Sequence, residues 1–188
     1  MHNNLVRMRT IEFALVVMAL LGGSICFAQP QAARNNSKFE QTLNREVHHQ
    51  LVTVPWFSVF DNLAYSINGS EVTLTGQVRN SAIKRDAENN VKSIEGVTAV
   101  HNNIQILPDS PMDDQIRMAE YRSIYGFPSL QRYAQGAIQP IHIVVNMGHV
   151  TLEGVVANQA DRDAANIRAN GVPGVFSVTN HLRLDRHS

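Results

Sequence analysis

The sequence predicts an α+β protein of two tandem α-β-β-α-β units, each a small mixed sheet with two helices packed on one face. Two observations predict it. The first is an internal repeat: residues 68–106 align without a gap on residues 146–184 at a constant offset of 78, with thirteen of thirty-nine positions identical. The second is that both copies pass through the same periods: strand-like alternation around an Asn- and Gly-containing turn, a helical stretch, then alternation again.

Taking the elements in order, Phe39, Leu43, Val47 and Leu51 recur at helical spacing and predict a leading helix over about 38–52. A hairpin follows, turning at Asn68-Gly69-Ser70, with Val72, Leu74 and Val78 on the inner face of its second strand. Gly76 interrupts that strand, which marks a bulge or a close approach, here expected from a crossing helix. Asn80 can cap the second helix, where Ala82, Ile83, Ala87 and Val91 oppose Lys84, Arg85, Glu88 and Lys92. Gly96 ends it, and Val97 to Ile106 alternate as a last strand. The prolines of Leu107-Pro108-Asp109-Ser110-Pro111 mark residues 108–111 as a linker.

The second copy repeats the order. A helix is expected over about 112–125, with Ile116, Ala119 and Tyr121. Ile141 to Val145 and Val150 to Val156 form the hairpin, with Gly154 in its second strand. Asn158 then caps a helix carrying Ala160, Ala164, Ala165 and Ile167, Gly174 ends it, and Val175 to Leu184 close the unit. The two leading helices match each other poorly. The domains are therefore 38–107 and 112–188, behind a stretch 29–37 rich in Gln, Asn and Ala that reads as a disordered leader.

At the start, Arg7 and Arg9 precede an apolar run from Phe13 to Leu21, then small residues and Cys26-Phe27-Ala28. This order reads as a secretory signal over 1–28, since a bilayer span needs about 20 apolar residues. Cys26 raises lipidation, but Ile25 stands where lipoprotein signals resemble one another in carrying a small residue. The expected location is the periplasm or the outer-membrane periphery, with no transmembrane segment in the mature chain.

Sixteen basic against sixteen acidic residues leave no net charge, so nothing marks a general nucleic-acid binder. The eight histidines include His48-His49, His142, His149 and His181, without the short-spaced pairs a zinc site uses; His142 and His181 read as exposed strand residues. No Gly-x-Ser-x-Gly elbow and no Gly-rich phosphate loop occurs, and Asp61, Glu71, Glu153, Asp161 and Asp163 read as solvated carboxylates. Asp113 and Asp114 suit a helix N-terminus. No enzyme constellation, cofactor or metal is expected.

Two segments invite a contact role. Trp56 and Phe57 either form a docking patch or close the core between helix and strand. In the second copy Arg117, Tyr121, Arg122, Tyr125 and Arg132 lie with Phe127 and Tyr133, a mixture that could rest on an anionic membrane.

The run Val72-Thr73-Leu74-Thr75-Gly76-Gln77-Val78, with Gly96-Val97 and Val100-His101-Asn102-Asn103-Ile104, resembles the BON domain, the bacterial OsmY and nodulation domain. So does its second copy, from Val150-Thr151-Leu152 through Gly154, Gly174-Val175 and Asn180 to Leu182. The resemblance implies a small α/β sandwich in proteins linked to envelope integrity, osmotic stress and phospholipid contact. Gly76, Gly96, Asn102, Gly154, Gly174 and Asn180 are its motif positions. The function so implied is non-enzymatic binding at an anionic phospholipid surface; the alternative is a periplasmic protein-interaction or chaperone-like stress protein.

Overall fold

In the computed structural model the described residues are 31–136 and 138–185, with side chains from residue 38 onward. The segment 1–28, expected to be a secretory signal, and its Cys26 lie outside them.

The first repeat contains α1 (Gln31–Val52), β1 (Asn62–Asn68), β2 (Glu71–Val78), α2 (Ser81–Lys92), β3 (Ala99–Asn102) and β4 (Gln105–Ile106). The second contains α3 (Pro111–Tyr125), a 3-10 turn (Gln131–Ala134), β5 (Ile141–Asn146), β6 (His149–Val156), α4 (Gln159–Asn170), β7 (Ser177–Asn180) and β8 (Arg183–Leu184). In each, the middle strand pairs antiparallel with the first and parallel with the last two, so the sheet is mixed. From β2 and β6 onward every element boundary repeats at the offset of 78. The helices pack on one face: Leu43, Val47 and Leu51 of α1 and Ile83, Ala87 and Val91 of α2 share a core with Val72, Leu74 and Val78.

The starts of both leading helices differ from expectation. Residues 31–37 continue α1 rather than forming a disordered stretch. Pro111 is not linker but the first residue of α3, where its missing N–H is no loss, and Ser110 caps that helix by accepting from the Asp113 amide.

The repeated motif residues have physical reasons. Asn80 and Asn158 cap α2 and α4 by accepting from the amides of Ala82 and Asp161. Asn102 donates to the Lys84 carbonyl of α2 and accepts from the Ile104 amide; Asn180 does the same with Arg162 and Leu182. Each asparagine thus ties the break in the last strand to the second helix, and turns Ile104 or Leu182 into the core. The expected reason for Gly76 and Gly154 was a crossing helix, and it is wrong. Both take positive φ, 117° and 120°, and a Cβ there would lie 2.1 Å from the Asn62 carbonyl oxygen and 1.9 Å from that of Pro140. The close neighbour is the adjacent strand's backbone. Gly96 gives room to the Phe39 ring, and Gly174 lies over Ile116.

Past the first helix the backbone steps identically in both copies at a different offset, 73. Val54 and Phe57 donate to Leu51 and Val54, as Phe127 and Leu130 donate to Ile124 and Phe127. The leading helices are therefore also repeats, with Leu43 over Ile116, Val47 over Glu120 and Leu51 over Ile124. The second copy then adds the 3-10 turn Gln131–Ala134, and the offset of 78 is restored by the hairpin that follows.

Candidate functional site

The leading segment of the second repeat does not form one aromatic and basic surface. Arg117 is buried, reaching the Val145 carbonyl and Asp114. Tyr125 is buried too and donates to the Ile141 carbonyl; burial raises its pKa. Arg132 is exposed but bonds Asp161 and the Tyr133 hydroxyl, and Tyr133 in turn donates to Asp161. Tyr121 is half-buried against Tyr125, with ring centroids 4.9 Å apart and the rings tilted by 40°. Of the seven residues singled out for contact, Trp56 and Arg122 are exposed without a described bond to the rest. Trp56 is 80% exposed and holds a left-handed backbone at φ 68°, so it does not close the core.

Several acids read as solvated are interior anchors. Asp61 accepts from the Ser58 amide and hydroxyl and from the Arg79 amide, fixing the entry to β1. Asp161 holds the 3-10 turn through Tyr133. Asp113, in the first turn of α3 as expected, is also buried against the β5–β6 hairpin, accepting from the Met147 and Gly148 amides at 2.9 Å each. Glu71 and Asp163 are exposed as expected, and Glu153 pairs with His181 at 2.8 Å. Glu120 is different: it is fully buried, neither carboxyl oxygen has a hydrogen-bond partner, and burial pushes its pKa up to about 8. Only alignment at the offset of 73, against Val47, would have flagged it.

Two further features were invisible in the sequence. One is a seam between the repeats. Val59 belongs to the core of the second repeat, with Phe60 packed beside it, and its carbonyl accepts from the Ile143 amide at 2.6 Å. Phe57 lies against His142 with centroids 5.4 Å apart and the rings tilted, Phe60 meets Tyr121 edge-on, and Arg79 lies over Phe60 while pairing with Asp114 at 3.7 Å. His142, expected on an open face, is thereby covered, whereas His181 is exposed.

The other feature is the hairpin tip of the second repeat. Met147 (φ 49°) and Gly148 (φ 78°) both turn left-handed, as a two-residue type I′ turn requires. Met147 is 67% exposed, and Phe176, bonded by its amide to the Gly148 carbonyl and lying against that glycine, is 73% exposed. The His149 ring lies beside Phe176 at a tilt of 51°, and Met112, the residue before Asp113, is also exposed. The first repeat has Gly69, Ser70 and Thr98 where the second has Met147, Gly148 and Phe176.

The sequence profile of the BON domain matches residues 40–108 and again residues 133–186. The chain belongs to the BON domain family. The second match begins at Tyr133, so α3, with Glu120, lies outside both matched stretches of this BON protein. BON domains are in general binding domains associated with the cell envelope. No curated protein matches the chain. Among solved structures, CdsD, a structural protein of the Type III secretion system of Chlamydia trachomatis, is similar at 14% identity over 78% of this chain and 94% of that one, with a TM-score of 0.30. The C-terminal domain of CdsD is similar at 16% identity over 76% and 97%, with a TM-score of 0.27. Likenesses of that size carry no functional argument. Among the described residues no helix is long and apolar enough to cross a membrane, and no cluster of three or more His, Cys, Asp or Glu side chains could hold a metal.

Proposed function

We propose that this BON protein is a non-catalytic binding protein of the envelope that rests on phospholipid through the hairpin tip of its second repeat. The observation that carries the reading is the exposure of Met147 and Phe176 side by side on a turn made rigid by Asp113. A convex pair of large apolar side chains held out in water suits insertion at a headgroup boundary better than a groove would. Two such side chains contribute about 3–6 kcal/mol if fully buried, which gives weak and reversible association. Arg117 and Tyr125, being interior, take no part in this reading.

Flotation of the mature protein with phosphatidylglycerol-containing vesicles tests it. The expected result is binding that persists in high salt and falls at least fivefold in Met147→Ser/Phe176→Ser, while Arg122→Ala binds as the parent does. Equal flotation of the double variant would overturn the assignment of the tip. Absence of binding to any vesicle, together with suppression of a client protein's aggregation, would favour the protein-interaction reading.

A further inference from the structure

The seam between the repeats is closed over a histidine. His142 stands on β5 on the face opposite the core residues Ile141 and Ile143, and the Phe57 ring of the first repeat lies against its ring at a tilt of 36°. Its Nδ1 is buried and has no hydrogen-bond partner. The next residue, Ile143, makes the backbone bond that joins β5 to Val59. A neutral imidazole tolerates this setting, because only one of its nitrogens must donate. A charged imidazole must donate from both and carries its charge into a buried site under a phenyl ring, where the Ser58 and Asp61 backbone favours it but does not offset the lost solvation.

The charged groups around the ring come from three sides. The first repeat brings Asp61, whose carboxylate is engaged by Ser58 and the Arg79 amide. β6 brings Glu153, paired with His142 across the strands but bonded to His181. On the far side of β5, α3 brings Arg117, bonded to Asp114 and the Val145 carbonyl, and the uncharged Glu120. Burial holds the His142 pKa below the usual histidine value, outweighing the Ser58 and Asp61 backbone and the two acids, all of which favour a charged ring.

We propose that protonation of His142 opens the seam, so that acidification releases segment 57–61 from the edge of β5. The sign follows from linkage. In the open state the ring is solvated and takes up a proton at its ordinary pKa, before the closed state does. Closure is therefore fully stable above the ordinary histidine range and weakens as pH falls through it. Opening would expose the β5 edge together with Phe57, Val59 and Phe60, surfaces hidden at neutrality. This device is independent of the lipid reading.

Hydrogen exchange of the Ile143 amide in the full mature chain is the direct test, measured at pH 7.5, 6.5 and 5.5 and corrected for the intrinsic pH dependence. The expected result is at least a tenfold loss of protection at Ile143 between pH 7.5 and 5.5, with the core amides of β6 unchanged. His142→Phe is expected to keep Ile143 protected at all three values, and His142→Gln, which keeps a polar side chain should phenylalanine not fit, is expected to remove the pH dependence. His181→Gln is expected to retain it. A flat profile in the parent protein, acid loss that survives both His142 substitutions, or equal loss throughout β6 would each overturn the proposal.

Discussion

The two repeats share a frame and differ at three places: the turn of the hairpin, the centre of the leading helix, and the segment that follows it. The first repeat has Gly69-Ser70 at its tip and Val47 in its helix; the second has Met147-Gly148 and Glu120. Positions common to both hold the frame. The glycines at 76 and 154 admit the neighbouring strand, and the asparagines at 102 and 180 tie the last strand to the second helix. The differences teach that the first copy is the plainer scaffold, while the second keeps features that lower its own stability. Met147 sits in a backbone region unfavourable to side chains, and Glu120 occupies a valine's place in the core.

Exchanging the core residues should sharpen this contrast most. The folded protein holds Glu120 in its protonated form, with a pKa of about 8 against an ordinary 4.5. The penalty is therefore absent below the ordinary value, grows as pH rises between the two, and is complete above the upper one. Glu120→Val is expected to stabilise the protein at pH 9 by an amount of the order of 4 kcal/mol and to flatten this slope. Val47→Glu should impose a similar slope on the first repeat. Urea denaturation from pH 5 to 9 reads both; an unchanged slope in Glu120→Val would show that another group produces it.

A second exchange asks whether the shared frame is equally tight in both copies. Gly76→Val and Gly154→Val each force a side chain onto a carbonyl at positive φ, and each is expected to cost roughly 3 kcal/mol or more. Thermal melting of the full chain checks this. A tolerated substitution in one copy and not the other would break the equivalence of the frames.

The smallest effect concerns the tip. Met147→Gly relieves the left-handed strain and is expected to raise stability by up to about 1 kcal/mol while weakening vesicle flotation. Gain of stability with full flotation would detach the strain at Met147 from the contact role.

What the sequence made legible follows from what a one-dimensional pattern can carry. The order of elements, the caps Asn80 and Asn158 and the family motif were readable because they depend on neighbours close along the chain. The kinship of the leading helices was hidden by a change of offset from 78 to 73, and with it the placement of Glu120 in the core. Arg117 and Tyr125 resembled surface residues because their partners, the carbonyls of Val145 and Ile141, belong to a strand that comes later in the chain. Asp61 and Asp161 were misread for the same reason: their partners include an amide or a hydroxyl well removed in sequence. The seam required knowing how two domains meet, which no periodicity encodes.

The placement of Val59 bears on how the chain can be divided. Counted along the sequence it precedes β1 and falls within the first matched BON stretch, yet its side chain fills the core of the second repeat and its carbonyl completes the edge of β5. A fragment starting at residue 112 would carry a notch in its interior and a bare strand edge, and such edges invite self-association. Cooperative unfolding should accordingly span both repeats in one transition, with the chain's folding unit larger than its unit of duplication. Once the first copy had supplied part of the second copy's interior, neither half could be lost or exchanged without repair of the other.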